Sequence, residues 1–86
     1  MAVKEKTLVR IQVPMADAAF DVRIPYDLPA ATVSEMVANM FKGISEIKLP
    51  LSASPVLWYP KQGIALEGSR TIREYEITDS DLLLLV

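Results

Sequence analysis

The segment Thr78-Asp79-Ser80-Asp81 sets two carboxylates two positions apart, a spacing that could suggest a metal loop or an acid–base pair. A calcium loop needs more oxygen ligands and a glycine at its sharp turn, and neither is present. Acid–base work needs two carboxyl groups whose surroundings push their proton affinities apart, and no such pairing is evident. The segment reads instead as a solvated acidic turn capping the strand that follows. Arg70 and Arg73 beside Glu74 and Glu76 read as a mixed-charge surface, and Lys61 stands at the tip of a turn. The glycines of Glu67-Gly68-Ser69-Arg70 and Lys61-Gln62-Gly63 are single, so neither stretch is a phosphate cradle.

The sequence has no cysteine and no histidine. That excludes disulfides, zinc thiolates and thiol nucleophiles, and it removes the commonest general base and metal ligand. Catalysis is not expected, and neither a cofactor nor a metal is implied. A net charge of −2 argues against binding nucleic acid through its phosphates, which requires a basic face. Hydrophobic residues at 51% and charged residues at 23% mark a globular chain, and 86 residues make one domain. No signal peptide follows Met1, and the longest apolar run, Leu82 to Val86, is far short of the about 20 residues that span a bilayer. The expectation is a soluble cytoplasmic protein with no membrane insertion of its own.

The elements that would position any site follow from periodicity. In Leu8–Val13, Val9, Ile11 and Val13 share one face while Leu8, Arg10 and Gln12 share the other. Phe20, Val22 and Ile24 alternate with Asp21 and Arg23, and the short link through Pro14 and Asp17 predicts a hairpin. Pro25 and Pro29 break the sheet. Thr32 with Glu35 three residues on predicts a capping box, and Val33, Met36, Val37, Met40 and Phe41 form a helical stripe read as core, with Gly43 as the stop. The stretch Val56–Pro60 is a third strand, Ile64–Leu66 a short fourth, and Leu82–Val86 the last. Residues 1–6 are expected to be a disordered tail and 7–86 a single domain. The first and last strands, being the most apolar, should lie centrally and side by side. The helix should pack across one face of a mixed sheet of four to five strands, through a right-handed crossover.

This order is that of the ubiquitin-like β-grasp, an α+β fold. The closing stretch Leu66-Glu67-Gly68-Ser69-Arg70-Thr71, with Glu74-Tyr75-Glu76-Ile77 before the last strand, is similar to ubiquitin. The resemblance implies that Tyr75 is buried with its hydroxyl bonded to backbone in the turn near Glu67 to Ser69, and that Leu66, Ile72 and Ile77 are core. From about Val9 to Val86 the chain resembles more closely the YukD/EsaB-type ubiquitin-like proteins of bacterial type VII secretion. The shared stretches are Phe20-Asp21-Val22-Arg23-Ile24-Pro25 with its following helix, and the segment from Ala65 to Val86. The longer connection Ile44–Pro55 departs from that pattern.

Ubiquitin-type modifiers and sulfur carriers act through a free, narrow, flexible Gly-Gly end, whereas this sequence finishes at Val86 in or beside a strand. Non-covalent docking is therefore expected rather than conjugation. On the last strand Leu83 and Leu85 should point inward. The resemblance favours Val56 and Trp58 inward on the third strand. The outward residues then form an apolar patch of Leu57, Tyr59, Leu82, Leu84 and Val86, with Leu8 nearby, on the face that ubiquitin uses for recognition. The resemblance implies a protein partner, a cytoplasmic or membrane-complex component of type VII secretion or a regulator of it. A homodimer through the same face and a cover formed by residues 44–54 are the other readings of the patch. A small non-catalytic subunit of a multicomponent monooxygenase is a second function class, and a modifier or sulfur carrier a third.

Overall fold

A computed structural model describes residues 5–44 and 55–86. Two long strands open the chain. β1 (Lys6–Val13) buries every second residue, and β2 (Ala18–Pro25) lies antiparallel to it in unbroken register from Lys6 opposite Pro25 to Val13 opposite Ala18. Alternation with a period of two puts Val9, Ile11, Val13, Val22 and Ile24 on one face, each worth about 1.5–3 kcal/mol on burial. The link is a 3-10 turn at Pro14–Ala16, closed by Asp17 in the left-handed region at φ 50°. β1 starts at Lys6, one residue inside the expected 1–6 tail, and the Tyr26 N–H already reaches Glu5 O at 2.9 Å. The remainder of that tail, residues 1–4, lies outside the described residues.

The helix α1 (Ala30–Ile44) crosses the buried face. Its buried side is Ala30, Val33, Ser34, Val37, Ala38 and Phe41. The expected stripe is thus turned: Val33, Val37 and Phe41 are core, but Met36 and Met40 are 40% and 45% exposed. Small residues at Ala30, Ser34 and Ala38 allow the helix close to the sheet, and Ser34 returns its hydroxyl proton to Ala30 O at 2.8 Å.

The helix entry also differs from the capping-box expectation. Thr32 lies within the first turn. The first helical N–H groups are satisfied by backbone instead, Ala30 N–H donating to Arg70 O at 2.7 Å and Ala31 N–H to Gly68 O at 3.1 Å. Gly68 suits that contact, since a Cβ there would stand 3.0 Å from the Ala31 Cβ. Gly43 lies inside the helix and not at its stop.

The remaining strands are short: β3 (Leu57–Tyr59), β4 (Ile64–Ala65) and β5 (Leu82–Leu85). The five-stranded sheet runs β2-β1-β5-β3-β4. β5 is parallel to β1 and antiparallel to β3. The first and last strands are therefore central neighbours, as their composition predicts.

The phase of β3 is opposite to the expected one. Leu57 pairs with Leu85 and Trp58 with Leu84. Paired residues on a ladder share a face, so a strand that buries Leu83 and Leu85 forces Leu57 and Tyr59 into the core with them. Both are essentially inaccessible, and Trp58 is turned outward and half-buried.

Between β4 and β5 the chain forms a 3-10 turn, Ile72–Tyr75, in which Ile72 and Tyr75 are buried. The Glu67 N–H donates to the Tyr75 hydroxyl at 2.7 Å, fixing the turn that caps α1. This is the tyrosine contact implied by the likeness to ubiquitin. Leu66 and Ile77 are core as expected.

Candidate functional site

The side chains that alternate with the core on β1, β2, β3 and β5 make the open face of the sheet. Cross-strand pairing orders them. Gln12, Leu84, Trp58 and Ala65 lie in one row across four strands, and Asp21, Arg10 and Leu82 in another. Val86 continues β5, exchanging hydrogen bonds with Val56 in both directions, Val86 N–H to Val56 O at 2.9 Å and the reverse at 3.0 Å.

The face has two halves. On β3 and β5, Trp58 and Leu84 are half-buried neighbours flanked by Leu82 and Val86, which are 37% and 49% exposed. On β1 and β2 the outward residues include Leu8, Arg10, Gln12, Asp21 and Arg23, with Arg10 Nε 3.3 Å from Asp21 Oδ1. Shallow depressions of about 280 and 150 Å³ flank Leu8. Leu82 and Arg10 help to line the first, and Lys6 and Arg23 the second.

The expected patch is therefore gathered only in part. Leu82, Leu84 and Val86 stand together on the open face. Leu57 and Tyr59 do not, because β3 presents Trp58 there. Sequence reasoning missed Trp58 because the run from Val56 to Tyr59 is apolar throughout and has no period-two signal of its own. What decides its facing is the pairing with β5, in which Trp58 lies opposite the outward Leu84 and Leu57 opposite the buried Leu85. The proposed cover by residues 44–54 falls largely on 45–54, outside the described residues.

The chemistry-bearing clusters have structural work. The Tyr59 hydroxyl donates to Asp81 Oδ2 at 2.8 Å, and the Thr78 N–H donates to the same oxygen at 2.9 Å. Burial, reinforced by the bond to Asp81 and its charge, pushes the Tyr59 hydroxyl up to about 12. Burial alone would raise the Asp81 carboxyl too, but the donors from Thr78 and Tyr59 and the charge of Lys61 outweigh it and hold the acid below its ordinary range. Asp79 Oδ1 accepts from the Thr7 hydroxyl at 2.9 Å and the Leu8 N–H at 3.0 Å. So the acidic turn is not simply solvated: Asp79 ties it to β1 and Asp81 ties it to β3. No group of three or more His, Cys, Asp or Glu among the described residues could hold a metal ion.

The arginines are likewise engaged. Arg73 makes a two-pronged pair with Asp27, Nε to Oδ1 at 2.7 Å and a terminal nitrogen to Oδ2 at 3.1 Å, with its guanidinium 4.8 Å above the Tyr26 ring. The hydrogen bond from Arg73 holds the Asp27 carboxyl below its usual range. Arg70 pairs with Glu67 at 3.2 Å, and Glu74 accepts the Thr71 N–H at 3.3 Å. Each joins segments of the turn region, and none points a free pair of acids or bases at a cleft.

A family model described as WXG100 protein secretion system (Wss), protein YukD, matches residues 8–85. The chain belongs to the YukD family. Solved structures agree on the fold. The ubiquitin-like domain of an Arabidopsis thaliana protein superposes with a TM-score of 0.69 at 18% identity, covering 100% of this chain and 81% of that one. The UBL domain of Plasmodium falciparum Dsk2 gives 0.69 at 17% identity, covering 94% and 96%. The ubiquitin of Caldiarchaeum subterraneum gives 0.68 at 18%, covering 93% and 90%. No curated protein sequence matches the chain. At these identities the structures establish a ubiquitin-like β-grasp and nothing further. In this YukD-family chain the Tyr75 hydroxyl holds the turn at Glu67, and the open sheet face is centred on Trp58 and Leu84. No helix among its described residues is long and apolar enough to cross a membrane.

Proposed function

We propose that this YukD-family protein is a non-enzymatic docking module of the secretion system. Its open sheet face binds a protein component of the secretion machinery on the cytoplasmic side, without covalent attachment. The observation that carries this reading is the row formed by Trp58 and Leu84, continued by Leu82 and Val86. A wet sheet face is ordinarily polar, and a large aromatic among aliphatics on such a face is the usual anchor of a protein interface. The family supplies the setting. The titratable clusters support the non-enzymatic half of the reading, because Asp79, Asp81 and Arg73 are spent on holding the fold.

The test is recovery of partners from native cells after mild cross-linking, comparing the wild type with Leu84→Asp and Trp58→Ala. Components of the secretion machinery should accompany the wild type and be lost with both variants, while circular dichroism shows both variants folded. Equal recovery with folded variants would remove the face from the account. Recovery of oxygenase subunits instead would move the protein to a different class.

A further inference from the structure

Among the described residues β2 is an edge strand, and no described strand pairs with its outer side, whose backbone groups follow a specific pattern. The Tyr26 N–H bond to Glu5 O fixes the phase of the ladder: residues 18, 20, 22 and 24 direct their backbone groups to β1. Ala19, Asp21 and Arg23 therefore direct their N–H and C=O groups away from the sheet, and Pro25 directs a C=O without an N–H. The register is unbroken over eight residues, so no bulge twists this edge away. Natural edges are commonly guarded by charges. Here the two outward charges are of opposite sign and two residues apart. Asp21 is engaged by Arg10, and Arg23 has no acidic partner among the described residues.

We infer that β2 pairs antiparallel with β2 of a second copy, about a two-fold axis at Val22. In that register Asp21 of each chain lies opposite Arg23 of the other. These are hydrogen-bonded pairs, so both backbone bonds close at each, and every outward charge meets its opposite. Ala19 lies opposite Pro25, whose carbonyl accepts the Ala19 N–H and whose missing N–H ends the ladder. On the inner face Val22 meets Val22 of the other copy, and Phe20, half-buried and stacked on Phe41 at 6.1 Å, meets Ile24. The interface is isologous, as two-fold pairing requires. A shift by two residues would set Asp21 against Asp21 or Arg23 against Arg23, and so the charges select this register. The product is one continuous sheet with both helices on one side. Both Trp58 faces stand on the other side, available to a partner that offers two sites.

Two charge variants test this together. Asp21→Arg alone and Arg23→Asp alone each place like charges opposite one another twice. Each should weaken self-association, followed by sedimentation equilibrium, by about tenfold or more. Mixed in equal amounts, the two variants set arginine opposite aspartate at every pair, and association should return. The sequence has no cysteine, so Val22→Cys provides a separate check of register: it lies in the closely spaced, non-hydrogen-bonded pair on the axis and should give a single disulfide-linked dimer on mild oxidation. A wild-type protein that remains monomeric to roughly 1 mM overturns the inference and leaves the edge to a foreign strand or to none. A dimer that ignores both charge variants and is not trapped by Val22→Cys overturns it as well, because it must use another surface.

Discussion

The Tyr59 hydroxyl and the Asp81 carboxylate meet at 2.8 Å, joining the end of β3 to the residue just before β5. The bond gives the β3 phase its polar anchor. A tyrosine turned into the core needs a partner for its hydroxyl, and Asp81 is placed there by the Thr78 turn. With Tyr59 so held, Trp58 is committed to the open face.

Removing the carboxylate should therefore loosen the junction. Asp81→Asn is expected to cost about 1–3 kcal/mol in urea unfolding, the range for losing charge-assisted bonds at a part-buried site. The acid dependence should change with it. The Asp81 carboxyl sits below 3.8 in the folded protein, so it adds stability above about pH 4 that is lost as pH falls through the folded value. The variant should show a shallower loss below pH 4.

At the alkaline end the direction is reversed. The Tyr59 hydroxyl is raised from 10.0 to about 12, so the unfolded chain releases its proton first. Stability should be steady below pH 10 and fall between pH 10 and 12. Tyr59→Phe should flatten that limb in a pH series of thermal unfolding, while lowering stability near neutrality through the loss of one donor to Asp81, which keeps its bonds from Thr78.

The strand phase separates two neighbouring truncations. Leu57→Ala empties a fully buried site and should cost about 2–5 kcal/mol. Trp58→Ala, on the open face, should cost markedly less. Trp58 is also the single tryptophan of the chain. Its emission should be accessible to acrylamide in the free protein and become shielded when a partner covers the face.

The contact between the 68–70 turn and α1 predicts a coupled pair of substitutions. Gly68→Val drives side-chain atoms into Ala31 and should destabilise by about 1–3 kcal/mol. Ala31→Gly carries its own helix cost of about 1 kcal/mol. The double variant should nevertheless lose less than the sum, and denaturant midpoints measure the difference.

Alternation made β1 and β2 legible in the sequence, since Val9, Ile11, Val13, Val22 and Ile24 lie in strands whose facing is set by their own pattern; Leu82–Leu85 is apolar throughout and carries no such pattern, although Leu83 and Leu85 are inward as expected. The stretch around Tyr75 carried the turn. Two features were not legible for the same reason: each depends on a partner distant in sequence. The facing of Leu57 and Tyr59 is decided by β5, and the helix start is decided by carbonyls of Gly68 and Arg70 in place of Thr32. The pattern Thr-x-x-Glu occurs at both Thr32 and Thr71, and only the environment shows that Glu74 caps while Glu35 does not. The turned helical stripe has a related cause, since the methionines were weighed by hydrophobicity while the sheet accepted the smaller Ala30, Ser34 and Ala38.

The open face can be interrogated directly by placing a photo-cross-linkable amino acid at Leu84 and, in a second protein, at Glu35 on the exposed side of α1, then irradiating native cells. Adducts to a component of the secretion machinery from position 84, with none from position 35, are the predicted result. Adducts from position 35 alone, or none from 84 in a folded protein under secreting conditions, would contradict docking through the Trp58–Leu84 face.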